Sequence, residues 1–301
     1  MASALPRLLN LKNAFYLLVS LLVLYAIYKF FGAGAAFRSA DFPLLSLAVL
    51  IFLAEAFFWN WAWALVGGVS FRSAQLSSFA SMSGNLTPFG IGSDLMRSFF
   101  AKSEKKTFSQ ILASSFATKV YKILLAAAVL VLSFPLFSGL NQELQASLSL
   151  GTLFISAGAV SFLFFARFNP KFAESLLSSF ETGRKINLFA KELRRFFAIP
   201  SPQVLFLLLV SLACEFAAFF LSFQALGITL SVSTALAVFF IVFFATKLPF
   251  HALGVSELVG IFLLQSQYSA APIAAALISW DLVRAWAPAL ASTAFVFLNQ
   301  R

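Results

Sequence analysis

Between Pro43 and Val66 the chain carries a single charged side chain, Glu55, and between Gln203 and Leu226 it carries only Glu215. Each run of about 24 residues is long enough, as a helix, to cross the roughly 30 Å hydrocarbon core of a bilayer. In lipid every backbone N–H and C=O needs a partner within the protein, and a continuous helix supplies its own. These runs therefore predict an all-α, polytopic helical membrane protein. With 61% hydrophobic and 11% charged residues, composition excludes a soluble globular domain. One cysteine, Cys214, forms no internal disulfide, and one histidine, His251, excludes the His-rich zinc spacings, so no metal or other cofactor is expected.

Two stretches interrupt this pattern. The first is Asn85-Leu-Thr-Pro-Phe-Gly-Ile-Gly-Ser-Asp-Leu-Met-Arg97; the second is Lys247-Leu-Pro-Phe-His-Ala-Leu-Gly-Val-Ser-Glu257. Both read Pro-Phe, a Gly-containing linker, then Ser before an acid. Broken backbone at membrane depth has to be buried in protein or line a wet cavity. Two breaks in corresponding halves point to a transporter's substrate site. The echo extends outward: Glu55 matches Glu215, and Asp94 to Tyr121 aligns without gaps on Glu257 to Arg284. The expected organisation is one transmembrane domain over 1–301. Repeat 1 lies at about 43–138 and repeat 2 at about 203–298, each with a Pro/Gly-broken re-entrant hairpin.

In chain order, spans are expected at 14–31, 43–66, 108–137, 148–168, 203–226 and 272–298. Hairpin arms are expected at 73–87 with 93–101, and at 233–248 with 255–267. The run 14–31 is longer than a signal-peptide core of about 7–15 residues, so it reads as the first span. Trp59, Trp61 and Trp63 suit an interfacial belt. Residues 167–200 mix Arg167, Lys171, Arg184, Lys185, Lys191, Arg194 and Arg195 with Phe and Leu at helical spacing, as in an amphipathic helix on an anionic leaflet.

The net charge of +10 is spread over loops, which argues for membrane surface and against nucleic acid. A cytoplasmic N-terminus puts Arg7, Lys12, Arg72, Lys102, Lys105, Lys106, the 167–200 loop and Arg301 on the cytoplasmic side. The other side keeps only Lys29 and Arg38. This parity runs the 43–66 and 203–226 spans in opposite directions, making the repeats inverted, in a multi-pass protein of the cell membrane.

With these residues laid out, the chain resembles the transmembrane, flippase-like region of the lysylphosphatidylglycerol synthase family. The likeness rests on Asn85, Pro88, Gly92, Asp94 and Arg97, then Pro249, Gly254, Val255 and Glu257. Thr118, Lys119 and Lys122 stand where the family has a Glu-Arg pair and a later Asp, and Ala252 and Leu253 replace its usual glycines. The family's soluble aminoacyl-transferring domain has no counterpart in these residues. The resemblance thus implies lipid translocation without lipid synthesis, and no headgroup preference carries over.

The expected substrate-binding residues are Asn85, Asp94, Arg97, Lys119, Lys122, Lys247, His251, Glu257 and Arg284. Glu55, Glu215 and Asp281 read as structural or coupling charges. The surplus of bases suits an anionic headgroup, so the reading is a flippase-like translocase of an anionic phospholipid or polyprenyl-phosphate-linked lipid, and no enzyme. Removing Lys119 or Lys122 should then weaken transport with the fold intact, whereas removing Glu55 should destabilise it. The alternative is an integral-membrane enzyme or accessory subunit of lipid-linked glycan or phospholipid biosynthesis, with Asp94 and Glu257 as acid/base groups. A second copy of the chain and a lipid-biosynthesis protein are the protein partners left open.

Overall fold

The computed structural model describes residues 18–19, 21–82, 91–101, 106–140, 200–247 and 254–298, a few positions between 142 and 149, and Glu192. The 148–168 span, the basic loop at 167–200, Asn85, Pro88, Pro249 and His251 lie essentially or wholly outside the described residues. What is described is helical, with no strand among the described residues.

The helices are α1 (Leu21–Phe30), α2 (Ala33–Arg38), α3 (Phe42–Gly67), α4 (Phe71–Ser81), α5 (Ile91–Phe100) and α6 (Phe108–Leu132). After residue 200 come α7 (Pro202–Ala225), α8 (Val232–Ala245), α9 (Val255–Leu264), α10 (Ala270–Asp281) and α11 (Ala287–Leu298). Four are long and apolar enough to cross a membrane: α3, α6, α7 and the continuous stretch Ala270–Thr293. Of the expected first span, the described part is the short α1, which ends before Gly32 in the left-handed region at φ 66°.

Local chemistry sets the starts. Asp41 accepts from the Leu44 amide, Ser70 from Ser73, Ser201 from Val204 and Ser231 from Thr234. Thr107 and Gln110 form a reciprocal capping box at α6. These caps fix α3 and α7 within one residue of the expected bounds. Others shift: α4 begins at Phe71, because Ser70 is the cap, and α8 and α9 end three residues early, at Ala245 and Leu264. The long helix after the first break stops at Leu132, short of Phe137. Pro135 has no N–H for the ladder, and residues Phe134–Phe137 tighten into a 3-10 turn.

Each half passes through the same order: long helix, short, short, long. The neighbours correspond as well: α3 packs on α4 and α6, α4 on α5 and α5 on α6, just as α7 packs on α8 and α10, α8 on α9 and α9 on α10. The halves join mainly where α3 lies along α7. Lipid tails are as apolar as the side chains, so packing and polar bonds, not water exclusion, hold such helices together. Accordingly α10 presents Ala274, Ala275 and Ala276, all fully buried, and Phe219, Phe239 and Trp280 pack edge to face nearby. Gly254 opens α9 in the left-handed region at φ 77°, which favours glycine, and a Cβ there would sit 2.5 Å from Ile27 Cδ1 on α1, so a side chain at 254 would force Ile27 to move.

The last long stretch is not uniform. Pro288 cannot donate to the Arg284 carbonyl one turn back, and its ring crowds that carbonyl. The helix widens in response: Leu282–Trp286 is a π-turn, and the Ala287 amide reaches back five residues to Leu282. Arg284 lies inside that turn.

Candidate functional site

A cavity of about 490 Å³ opens between the two halves. Its wall takes Glu55, Trp59 and Asn60 from α3, Ser78 from α4, Asp94 and Arg97 from α5, and Lys119 and Lys122 from α6. The second half supplies Glu215 from α7, Phe243 from α8, Thr246 and Lys247 just after it, and Arg284 from the π-turn. Five cations and three acids thus face one space within a layer of membrane-length helices. Unpaired charge is costly there, so the pairing decides what each residue can do.

Lys122 sits at the centre. Its Nζ donates to Glu55 Oε1 at 2.6 Å, to Glu215 Oε2 at 2.8 Å and to Ser211 Oγ at 3.0 Å. Ser211 in turn donates to Glu55 Oε1 at 2.8 Å. The lysine's three donors are therefore all committed. Lys122 is a link between α3, α6 and α7, and its removal would strand two buried carboxylates. The expectation that it is dispensable for the fold changes accordingly.

A second cluster lies on the first half. Asp94 Oδ1 accepts from Ser115 Oγ at 2.7 Å and from Arg97 Nη1 at 3.2 Å, and Oδ2 accepts from Lys119 Nζ at 2.7 Å. Arg97 also donates to Ser115 Oγ and, through Nε, to Ser78 Oγ at 3.2 Å. Its guanidinium stacks 4.5 Å from the Trp59 ring and 5.0 Å from that of Trp63. The belt reading fails for these two tryptophans. Trp63 is fully buried with its Nε1 donating to Ser114, and Trp59 faces the cavity. Only Trp61, 38% exposed, keeps an outward position. Lys119, with 27% of its side chain exposed, is far more accessible than Arg97 at 5%.

On the second half, Arg284 Nη2 donates to Asp281 Oδ1 at 2.7 Å, and the guanidinium lies 4.4 Å from the Trp280 ring. Lys247 Nζ lies 4.2 Å from the Phe243 ring and has no ion-pair partner among the described residues.

The structure thus brings together Asp94, Arg97, Lys119, Lys122, Lys247 and Arg284 of the expected binding set, with Glu55 and Glu215 between them. Glu257 does not line the cavity; it is 1% exposed, accepts from Ser256 Oγ at 2.9 Å and lies beside Asp281. Ser78, Ser115 and Ser211 were missed, since serine in an apolar helix carries little signal by itself. Spacing held one: Ser115 and Ser211 precede Lys119 and Glu215 by four residues, on the same helix face. No group of three potential metal ligands occurs among the described residues.

A family model described as the lysylphosphatidylglycerol synthase TM region matches residues 13–292. Neither a curated protein nor a solved structure matches the chain.

Proposed function

The chain belongs to the lysylphosphatidylglycerol synthase transmembrane-region family, and on that premise we propose that it is a lipid translocase and not an enzyme. The observation that carries this reading is the cavity itself: charged, set among membrane-length apolar helices, and walled by both halves. A lipid headgroup fits such a space while the acyl chains stay in the bilayer alongside. The cations exceed the acids on the wall, which favours an anionic phospholipid or polyprenyl-phosphate-linked headgroup. An enzymatic reading draws no support from the acids. Asp94 is engaged by three donors, and Glu257 is buried away from the space.

The repeat supports the transport step. Glu55 and Glu215 occupy matched positions in the two halves, and both reach the same Lys122 nitrogen. Residues related by a two-fold axis can share one atom only next to that axis. Inverted halves meeting there alternate access by exchanging conformations.

Purified protein in liposomes should move fluorescent or spin-labelled phosphatidylglycerol between leaflets faster than protein-free vesicles, and faster than a diacylglycerol-based glycolipid. Equal rates with and without protein, across a panel of anionic lipids, would reject translocation.

Orientation has its own test. In a Cys214→Ala background, a cysteine placed in 167–200 should label from the cytoplasmic side and one in 265–271 from the opposite side. Labelling of both from one side would remove the inverted arrangement.

A further inference from the structure

We propose that Lys247 and Arg284 form an anion subsite in the second-half wall of the cavity, one that takes the phosphate of a lipid headgroup. The proposal rests on the lipid-translocation reading only for what carries the phosphate.

Charge accounting leads to this wall. Each acid on the cavity is already committed: Glu55 and Glu215 to Lys122, Asp94 to Arg97 and Lys119. Behind the wall Asp281 holds Arg284. Lys247 is left with an aromatic ring in place of a carboxylate. Among the described residues, the charges that bear on it are Glu215, already bonded elsewhere, and three cations: Arg284, Lys122 and Lys119. A half-buried ammonium among like charges is an arrangement that a bound anion completes.

Arg284 supplies the second half of the argument. Asp281 and the Trp280 face fix one edge of its guanidinium, while its buried Nε–H has no hydrogen-bond partner among the described residues. Buried donors are nearly always satisfied, so an orphan on a residue of the cavity wall marks a guanidinium whose bonding the protein leaves incomplete. Pro288 forces the π-turn, which re-aims Arg284 relative to a regular helix, and such turns recur at functional sites. A phosphodiester has two non-bridging oxygens sharing one negative charge, one for the Lys247 ammonium and one for the Arg284 guanidinium. Chloride offers a single centre and would leave one donor unmet.

The test is binding to purified protein in detergent, with three probes: dihexanoyl phosphatidylglycerol, inorganic phosphate, and dihexanoylglycerol, which has the same tails and no phosphate. The phosphatidylglycerol should bind and inorganic phosphate should compete with it, while dihexanoylglycerol should do neither. Lys247→Ala should weaken phosphatidylglycerol binding about 10- to 100-fold, the range for a hydrogen bond to a charged group. Lys247→Arg should restore most of it. Lys247 bonds to no acid among the described residues, so thermal unfolding of Lys247→Ala should match wild type and keep the variant usable. Equal affinity in wild type and Lys247→Ala overturns the subsite, as does binding of dihexanoylglycerol as tight as that of the phosphatidylglycerol. Binding of inorganic phosphate without the lipid overturns the lipid-borne ligand. Lys247-dependent lipid binding without leaflet exchange in liposomes leaves the subsite standing and defeats the translocase reading instead.

Discussion

Lys122→Met is expected to cost about 3–5 kcal/mol of stability, the range for breaking a buried ion pair by removing one partner. The mechanism is specific. Glu55 and Glu215 are 8% and 4% exposed, and without the ammonium their carboxylates face each other across the α3–α7 contact, with Ser211 left as the hydrogen-bond donor to Glu55. Thermal unfolding in detergent, followed by size-exclusion chromatography, should show an early transition and aggregated protein. Adding Glu55→Gln and Glu215→Gln in the same molecule should recover most of the loss, since neutral amides do not repel. A triple variant as unstable as Lys122→Met would mean that the side chain's volume, not its charge, holds the helices. Transport measured on Lys122 variants alone would report folding.

Asp94→Ala should produce a loss of similar size, about 3–5 kcal/mol, because Asp94 is the acid that holds both Arg97 and Lys119. The two cations should not contribute equally. Arg97 is 4% exposed, stacked on two tryptophans and bonded to two serines, so it cannot swing out to water. Lys119 is partly solvated and can, so Lys119→Met should cost about 1 kcal/mol or less. Arg97→Leu should fall much closer to Asp94→Ala. Unfolding midpoints of the three variants decide it: a Lys119→Met loss larger than that of Arg97→Leu would contradict the geometry.

The long helices were legible because an apolar run of membrane length, started by Asp41 or Ser201, leaves the backbone little choice. The 3-10 end of α6 was missed although Pro135 stood in the text, because the apolar run continues past it. Charged positions were legible as a set, since an acid or base inside a span needs a reason. Their division of labour was not. Lys122 and Lys247 look alike in sequence, yet one is enclosed by two carboxylates and the other meets none among the described residues. Only the crossing of α3, α6 and α7 decides which lysine is spoken for. Trp59 and Trp63 misled for the same reason, because a tryptophan near a helix end reads as a lipid anchor until an arginine is found stacked on it.

The hub at Lys122 has a mechanical meaning. Glu55 and Glu215 lie near the middle of their helices, with α3 extending about 18–20 Å to either side of Glu55. A tilt of α3 against α7 by about 15°, the size of a quaternary rotation, displaces the helix ends by about 5 Å and leaves the point of rotation almost still. A see-saw pivoted there can open one rim and close the other while its central ionic bonds stay intact. The barrier to rocking is then set by repacking at the ends of the lever and carries no cost for parting charges at its fulcrum.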